Sequence, residues 1–308
     1  MENTTQMIPK KKKTDKVQII FIISMLIVPV CAFLFFYLYI NLNSFLMAFQ
    51  RPIYDGSGTV SWGFDNFNMF FTSLSGVDSE IFLALRNTLI FYCTNIFIKL
   101  PLSLLICYFI YKKLLFGKAF RAIIYLPNII TGTIFAALYK YMVGSGGPLF
   151  AAWEALGVEP IYMFANSQYA MKGMLIFVIY SGLGGNFVLL SGAMNAIDAS
   201  VIDAGKIDGA GPFRELVSII MPTIWPTLGT MILLASIGIF TADGPLLLFT
   251  QGQYKTMTLN FWIFGMTTGI GSTTDYEYAS AVGLIFTLLG LPIVYLATKI
   301  TKVTKDSD

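Results

Sequence analysis

An all-α membrane protein of six transmembrane helices is the fold the sequence predicts. Three observations predict it: an apolar composition, six apolar runs long enough to cross a bilayer, and a lopsided placement of Lys and Arg. Of 308 residues, 56% are hydrophobic and 12% charged, against roughly a quarter charged in a soluble domain. That much apolar surface does not fit inside one water-bounded core, and lipid can replace water around it. Gly (27), Phe (27) and Tyr (16) are abundant, as suits packed membrane helices with aromatic ends.

Residues 1–16 read as a basic cytoplasmic segment in which Lys10, Lys11, Lys12, Lys13 and Lys16 precede an apolar run from Val17 to about Ile40. The run is longer than the apolar region of a signal peptide, about 7–15 residues, and has no small-residue cleavage site, so it reads as an uncleaved first helix. Five more runs can span a core of about 30 Å at about 1.5 Å per residue: Ile81–Tyr111, Ala119–Val143, Tyr169–Ala193, Pro222–Thr250 and Tyr276–Ile300. The first helix and an extracytoplasmic loop thus occupy 17–80. A core domain occupies 81–301, with a cytoplasmic loop at 195–222, and 302–308 form a cytoplasmic tail. The polar stretches Gln50–Glu80 and Gly144–Gln168 read as short ordered loops.

Orientation follows from the basic residues. With the N-terminus inside, only Arg51, Arg86, Lys140, Lys172 and Lys255 fall outside. Lys99 lies within the membrane, and every other Lys and Arg is cytoplasmic, from Lys112, Lys113, Lys118 and Arg121 to Lys206, Arg214, Lys299, Lys302 and Lys305. Both termini then face the cytoplasm of a multi-pass protein in a bacterial cell membrane.

Much chemistry is excluded. There is no histidine, hence no His base or ligand. Cys31, Cys93 and Cys107 sit in apolar runs without metal or disulfide spacing and read as buried structural thiols. No nucleophile–base pair or metal cluster is evident, and no Gly-x-x-x-x-Gly-Lys-Ser/Thr loop holds phosphate. Nothing suggests nucleic acid as a partner.

The loop between the fourth and fifth spans differs from the others. It reads as two short amphipathic helices joined at Asp208-Gly209-Ala210, with Ile197, Val201, Ala204 and Ile207 along one face of the first. Gly209 allows a tight reversal, and the second stretch, Phe213–Ile220, leads to Pro222 at the start of the next span. Such a hairpin is either a stiff knob that transmits force from a soluble partner or a helix pair lying in the headgroups.

The loop resembles the signature segment of the inner-membrane permeases of binding-protein-dependent ABC importers. Asp203-Ala204-Gly205 occupies that family's Glu-Ala-Ala position and Asp208-Gly209-Ala210 matches its Asp-Gly-Ala. Ile219 and Pro222 fall in register, while Leu216 and Met221 replace Phe and Leu. The resemblance implies an ATPase-coupling role for Asp203, Ala204, Gly205, Asp208, Gly209 and Ala210. Gly205 is expected to loosen the first short helix, and Asp at 203 to shorten an acidic contact. Asn87-Thr88, Tyr125-Leu126-Pro127, Tyr278-Ala279-Ser280-Ala281, Asp243 and Thr250-Gln-Gly252 are similar to the maltose and multiple-sugar branch, so the likeness covers nearly the whole chain after Trp62. It implies a type I importer permease fold, a second and different permease subunit, two cytoplasmic ATPases and an external sugar-binding protein. This chain would be a transport subunit and not an enzyme. It would hold no cofactor, ATP and Mg binding the partner ATPase.

Inside the membrane, Lys99, followed by Pro101, is expected to make a structural pairing, with Asn95 as a partner, rather than to touch substrate or the partner permease. Asp243 is expected to stabilise packing or a gate. The glycine-rich run Tyr180–Asn186 signals either close helix packing or a distorted helix around a midplane site. The resemblance implies substrate contacts on this helix and the next, which makes Tyr180, Ser181, Asn186, Ser236 and Phe240 the candidates. Trp225 and Trp262 read as interfacial anchors. An ion-driven transporter normally shows more spans and paired broken helices, and a scaffold or enzyme finds no support.

Overall fold

A computed structural model describes residues 16–53, 59–74, 76, 80–113, 117–270 and 274–301. The basic stretch Lys10–Lys13, the tail with Lys302 and Lys305, and the Lys118 side chain lie outside these. The chain is helical almost throughout. Helix α1 (Lys16–Met47) leads to a two-stranded antiparallel hairpin, β1 (Gln50–Pro52) and β2 (Val60–Trp62), and to α2 (Asp65–Leu74). Then come α3 (Glu80–Tyr111), α4 (Gly117–Ile129), α5 (Gly132–Val143), α6 (Pro148–Ala155) and α7 (Ala170–Asn195). The second half holds α8 (Ala199–Ile207), α9 (Pro212–Thr223) and α10 (Trp225–Ile237). It ends with α11 (Leu246–Phe249), α12 (Leu259–Thr268) and α13 (Tyr276–Thr301).

Helices α1, α3, α7 and α13 are each long and apolar enough to cross a bilayer, and two bent pairs raise the number to six if each pair is one span. α1 runs past its expected end at Ile40 to Met47, through a π-helical stretch Phe33–Tyr39 where Phe33 stacks on Tyr37 at 5.1 Å and Phe35 on Tyr39 at 5.9 Å. None of its residues is buried. A helix apolar on every side and exposed along its length is suited to lipid, and its last turns, Ile40–Met47, run beside α13.

The third span departs from a straight rod. Segments Ala119–Ile129 and Gly132–Ala155 meet at 109°. Pro127 cannot donate to the carbonyl of Ile123 one turn back, and that oxygen instead accepts the Tyr180 hydroxyl at 3.0 Å. Thr131 is extended, completing the break. The fourth helix is, by contrast, unbroken. Its glycines serve packing: a Cβ at Gly184 would lie 2.1 Å from Asn128 Nδ2 and 2.8 Å from the Ile124 carbonyl.

The expected fifth span, Pro222–Thr250, is also revised. α9 carries Pro222 near its end rather than at a helix start, and α9 and α10 bend by 73°, with Pro226 in the first turn of α10. α10 stops at Ile237, a 3₁₀ turn follows at Ile239–Thr241, and Gly244-Pro245 leads into the short α11. α12, absent from the sequence reading, is capped by Thr258, whose side chain accepts from Phe261 N–H.

Three apolar clusters hold the bundle. One joins Leu104, Cys107, Leu183, Phe187, Leu190, Ile202, Leu216 and Ile220 across α3, α7, α8 and α9. A second joins α2, α3, α12 and α13 through Phe70, Ile81, Trp262 and Phe286. The third is aromatic, around Phe91, Phe135, Phe177 and Phe249. Two readings change here: Trp262 is a core residue, and of the cysteines only Cys107 is buried, because Cys31 and Cys93 sit on helix faces no other element covers.

Candidate functional site

The 195–222 segment is built as a stiff projection. Asp198 caps α8, its Oδ1 accepting Ser200 N–H at 2.9 Å; this hydrogen bond holds its carboxyl below the ordinary value. α8 ends in a Schellman motif. Gly209 N–H donates to Lys206 O at 3.1 Å and Ala210 N–H to Gly205 O at 2.9 Å. The motif requires a left-handed residue, and Gly209 sits at φ +72°. Gly211 and Pro212 then start α9 at once.

Ile202 and Gly205 face inward, with Gly205 against Ile219, whose Cδ1 would be 2.3 Å from an added Cβ. The missing side chain therefore lets α8 lie tight on α9; the expected loosening is replaced by close packing. The apolar face read from the sequence is likewise rotated: Val201 and Ile207 point out, Ile207 at 87% exposure, with Phe213 beside the turn at 79%. Because Ile202, Leu216 and Ile220 belong to the same core as α3 and α7, the hairpin is seated on the bundle. Asp203 accepts the Lys206 ammonium at 2.8 Å, which raises the lysine above its ordinary value.

Glu215, overlooked in the sequence, anchors this projection. Its side chain is 4% exposed, yet both carboxylate oxygens accept Lys112 Nζ at 2.9 Å. The Tyr108 hydroxyl reaches the Pro212 carbonyl at 3.0 Å and Glu215 Oε1 at 3.4 Å. An acid beside Leu216 on the inward face of an amphipathic helix is a readable signal, since acids are rarely fully buried unless paired.

The intramembrane candidates do not converge on one cavity. Lys99, Asn95 and Asn186 line a space of about 200 Å³ between α3, α7 and α10. Asn186 donates to Ser103 Oγ at 3.2 Å and Ser103 to the Lys99 carbonyl at 2.7 Å. Tyr180 and Ser181 face α4, where Asn128 donates to the Ser181 carbonyl at 3.4 Å. Ser236 is buried against Tyr92, 3.1 Å away. Phe240 packs on Phe286 at 4.9 Å and lines a separate, largely apolar cavity of about 480 Å³. Asp243 accepts Asn260 Nδ2 at 2.8 Å. The Lys99 ammonium makes no hydrogen bond or ion pair among the described residues, Asn95 included. A lysine at a helix centre costs about 2.5–3.5 kcal/mol on insertion scales. Among the described residues no group of His, Cys, Asp or Glu could hold a metal ion.

On the side opposite the projection, Asn87 donates to the carbonyls of Lys255 at 2.9 Å and Met257 at 2.8 Å, and Thr88 Oγ1 accepts Leu259 N–H at 2.9 Å. These staples hold a loop in which Gln251, Tyr254 and Lys255 have positive φ. Arg51 bridges Asn66 at 3.0 Å and Asp275 at 2.9 Å, tying the hairpin and α2 to the start of α13.

A bent-helix bundle carrying a capped, tightly seated two-helix turn is the architecture of an ABC-importer permease, and comparison with known proteins agrees. A solved bacterial ABC transporter involved in import of the acidic polysaccharide alginate superposes with TM-score 0.77 over 92% of this chain and 95% of that one, at 22% identity. The alginate transporter in complex with an alginate pentasaccharide-bound periplasmic protein gives 0.78. Among curated proteins, the polygalacturonan/rhamnogalacturonan permease YteP of Bacillus subtilis (strain 168) is 25% identical over 90% of this chain and 87% of its own length. The lactose permease LacF of Rhizobium radiobacter is 24% identical, over 71% and 75%. The maltose/maltodextrin permease MalF of Escherichia coli (strain K12) is 27% identical, over 77% and 49%. No family model matches. The chain is a permease of the sugar ABC-importer type: a multi-pass membrane transport subunit, not an enzyme.

Proposed function

We propose that this chain is one of two permease subunits of an ATP-driven importer that carries a sugar or oligosaccharide inward, and that the turn at Gly209 is where a cytoplasmic ATPase grips it. One observation carries the reading. The Schellman turn presents Ile207 and Phe213, two large and strongly exposed apolar side chains, among the exposed polar residues Asp203, Lys206, Asp208 and Arg214, while Ile202, Leu216 and Ile220 seat the hairpin in the core. Exposed apolar groups rimmed by polar residues suit a protein partner. Asp203, Ala204 and Asp208 border them, the acids offering charge-assisted hydrogen bonds; Gly205, Gly209 and Ala210 set the backbone beneath.

In this reading the termini and the projection face the cytoplasm, two ATPases bind ATP and Mg, and a second, different permease completes the pathway. An external binding protein delivers the sugar, a role favoured by the periplasmic protein in the alginate complex and by the saccharides named for the relatives. Gly209→Asp tests it. A side chain at φ +72° is strained and sits on the docking face, so uptake and ATPase co-purification are lost while membrane insertion is retained. Normal uptake by that variant removes the coupling assignment.

A further inference from the structure

We propose that Lys99 is an anion seat in the transport path and that the cargo is an acidic sugar whose carboxylate the Lys99 ammonium holds; this rests on the importer reading above. Arg51, Lys112 and Lys206 each have a carboxylate partner within 2.9 Å. Lys99, placed inside the membrane on α3, has none among the described residues. Helix-interior charges normally face protein or water and find a counter-charge.

The chain also makes room for this lysine. A Cβ at Gly182 would stand 2.7 Å from Lys99 Cδ and 2.9 Å from its Nζ, so any larger residue on that turn of α7 displaces the side chain. The missing side chain thus leaves the lysine its place beside the cavity. Asn95 and Asn186 border the same space of about 200 Å³, whose remaining walls are apolar. The Lys99 carbonyl, Ser103 and Asn186 form a hydrogen-bonded chain that fixes the Asn186 amide on the wall of the space Lys99 also lines.

The chemistry is that of a carboxylate-bearing polyol. The ammonium supplies a compact charge with three donors and no acceptor. The asparagines supply amide groups suited to hydroxyls. Apolar walls lower the local dielectric and strengthen the ionic contact over a neutral one. With no resident carboxylate in the seat, the counter-charge can come and go with the cargo, as transport requires.

The test uses the intact importer, with its binding protein, in cells or proteoliposomes. Uptake of labelled short oligouronides is compared with uptake of the same chains after carboxyl reduction. The wild type is expected to prefer the acidic form by about ten- to a hundredfold, the change for one hydrogen bond to a charged group. Lys99→Met erases that preference, Lys99→Arg keeps part of it, and both assemble normally. Equal uptake of the two forms, uptake of neutral sugars only, or an unaltered preference in Lys99→Met overturns the inference and leaves the importer reading standing. Dissociation of Lys99→Met from the second permease also overturns it, showing that the partner's carboxylate answers the lysine. Failure of the wild type to take up any saccharide removes the importer reading itself.

Discussion

Replacing Lys112 by Met should uncouple the projecting turn from the membrane helices while leaving both in place. Lys112 meets both oxygens of Glu215 at 2.9 Å, and the Glu215 side chain is 4% exposed. Removing one partner of a buried ion pair leaves a charge without compensation, at about 3–5 kcal/mol. Lys112 itself is 30% exposed, so water can partly replace it and the low end, about 3 kcal/mol, applies. The Tyr108 hydroxyl at 3.4 Å is too long and too weak a donor to compensate. Every 1.4 kcal/mol is about tenfold in an equilibrium, so separation of α9 from α3 should become about a hundredfold more frequent.

The first assay is amide hydrogen exchange across 212–223 in the purified chain, where Lys112→Met should speed exchange by about two orders of magnitude without affecting α13. The second is the ratio of sugar taken up to ATP hydrolysed by the assembled importer, which should fall because hydrolysis continues without a rigid lever. Exchanging the charges, Lys112→Glu with Glu215→Lys, should restore both. Unchanged exchange in Lys112→Met, or a swapped pair no better than the single variant, refutes the clamp.

Further outcomes follow from the same structure. Tags at either terminus should be protected from protease in sealed right-side-out vesicles; cleavage from outside would reverse the assigned orientation. Asn87→Ala removes two hydrogen bonds to the 250–258 loop, so about 2 kcal/mol should be lost and limited proteolysis should cut the strained loop sooner, with α8 protection unchanged. Folding lowers the proton affinity of the Asp198 carboxyl. Its contribution is therefore complete above the ordinary carboxylate range and disappears as pH falls through the lowered value. Protection factors of residues 199–207 should stay flat around neutrality and drop only in acid, Asp198→Asn should retain the cap, and a drop near neutral pH would contradict the cap.

The sequence revealed what depends on average hydrophobicity and on motifs, and concealed what depends on pairing. Long apolar runs located α3, α7 and α13 to within a few residues and the start of α1, though not its end at Met47, and the Asp208-Gly209-Ala210 turn was readable because glycine adopts the left-handed backbone it needs at least cost. The bends were harder. Pro127 and Gly132 flank the 109° break, yet proline is tolerated inside many membrane helices, so its effect depends on whether a neighbour such as Tyr180 takes up the freed carbonyl. α12 escaped notice because ten residues are too few to register as a span. Ile202 rather than Val201 faces the core because α8 packs on α9 through Gly205, a contact no periodicity records. Glu215 and Lys112 are distant in sequence, and only the fold makes them neighbours.

One helix collects the consequences of these contacts. α3 is clamped to the projection by Lys112 and Tyr108 at its C-terminal end, bears Lys99 near its middle, and is stapled by Asn87 and Thr88, in its N-terminal half, to the strained loop ahead of α12. A push on the turn therefore meets a continuous backbone rather than a chain of side-chain contacts. The weak point along it is the π-helical stretch Asn95–Lys99, whose irregular hydrogen bonding is of the kind that accumulates at functional sites. Under the proposed coupling, a displacement of α3 entering at Lys112 would reach Lys99 through this stretch and change its placement against Gly182 and Asn186.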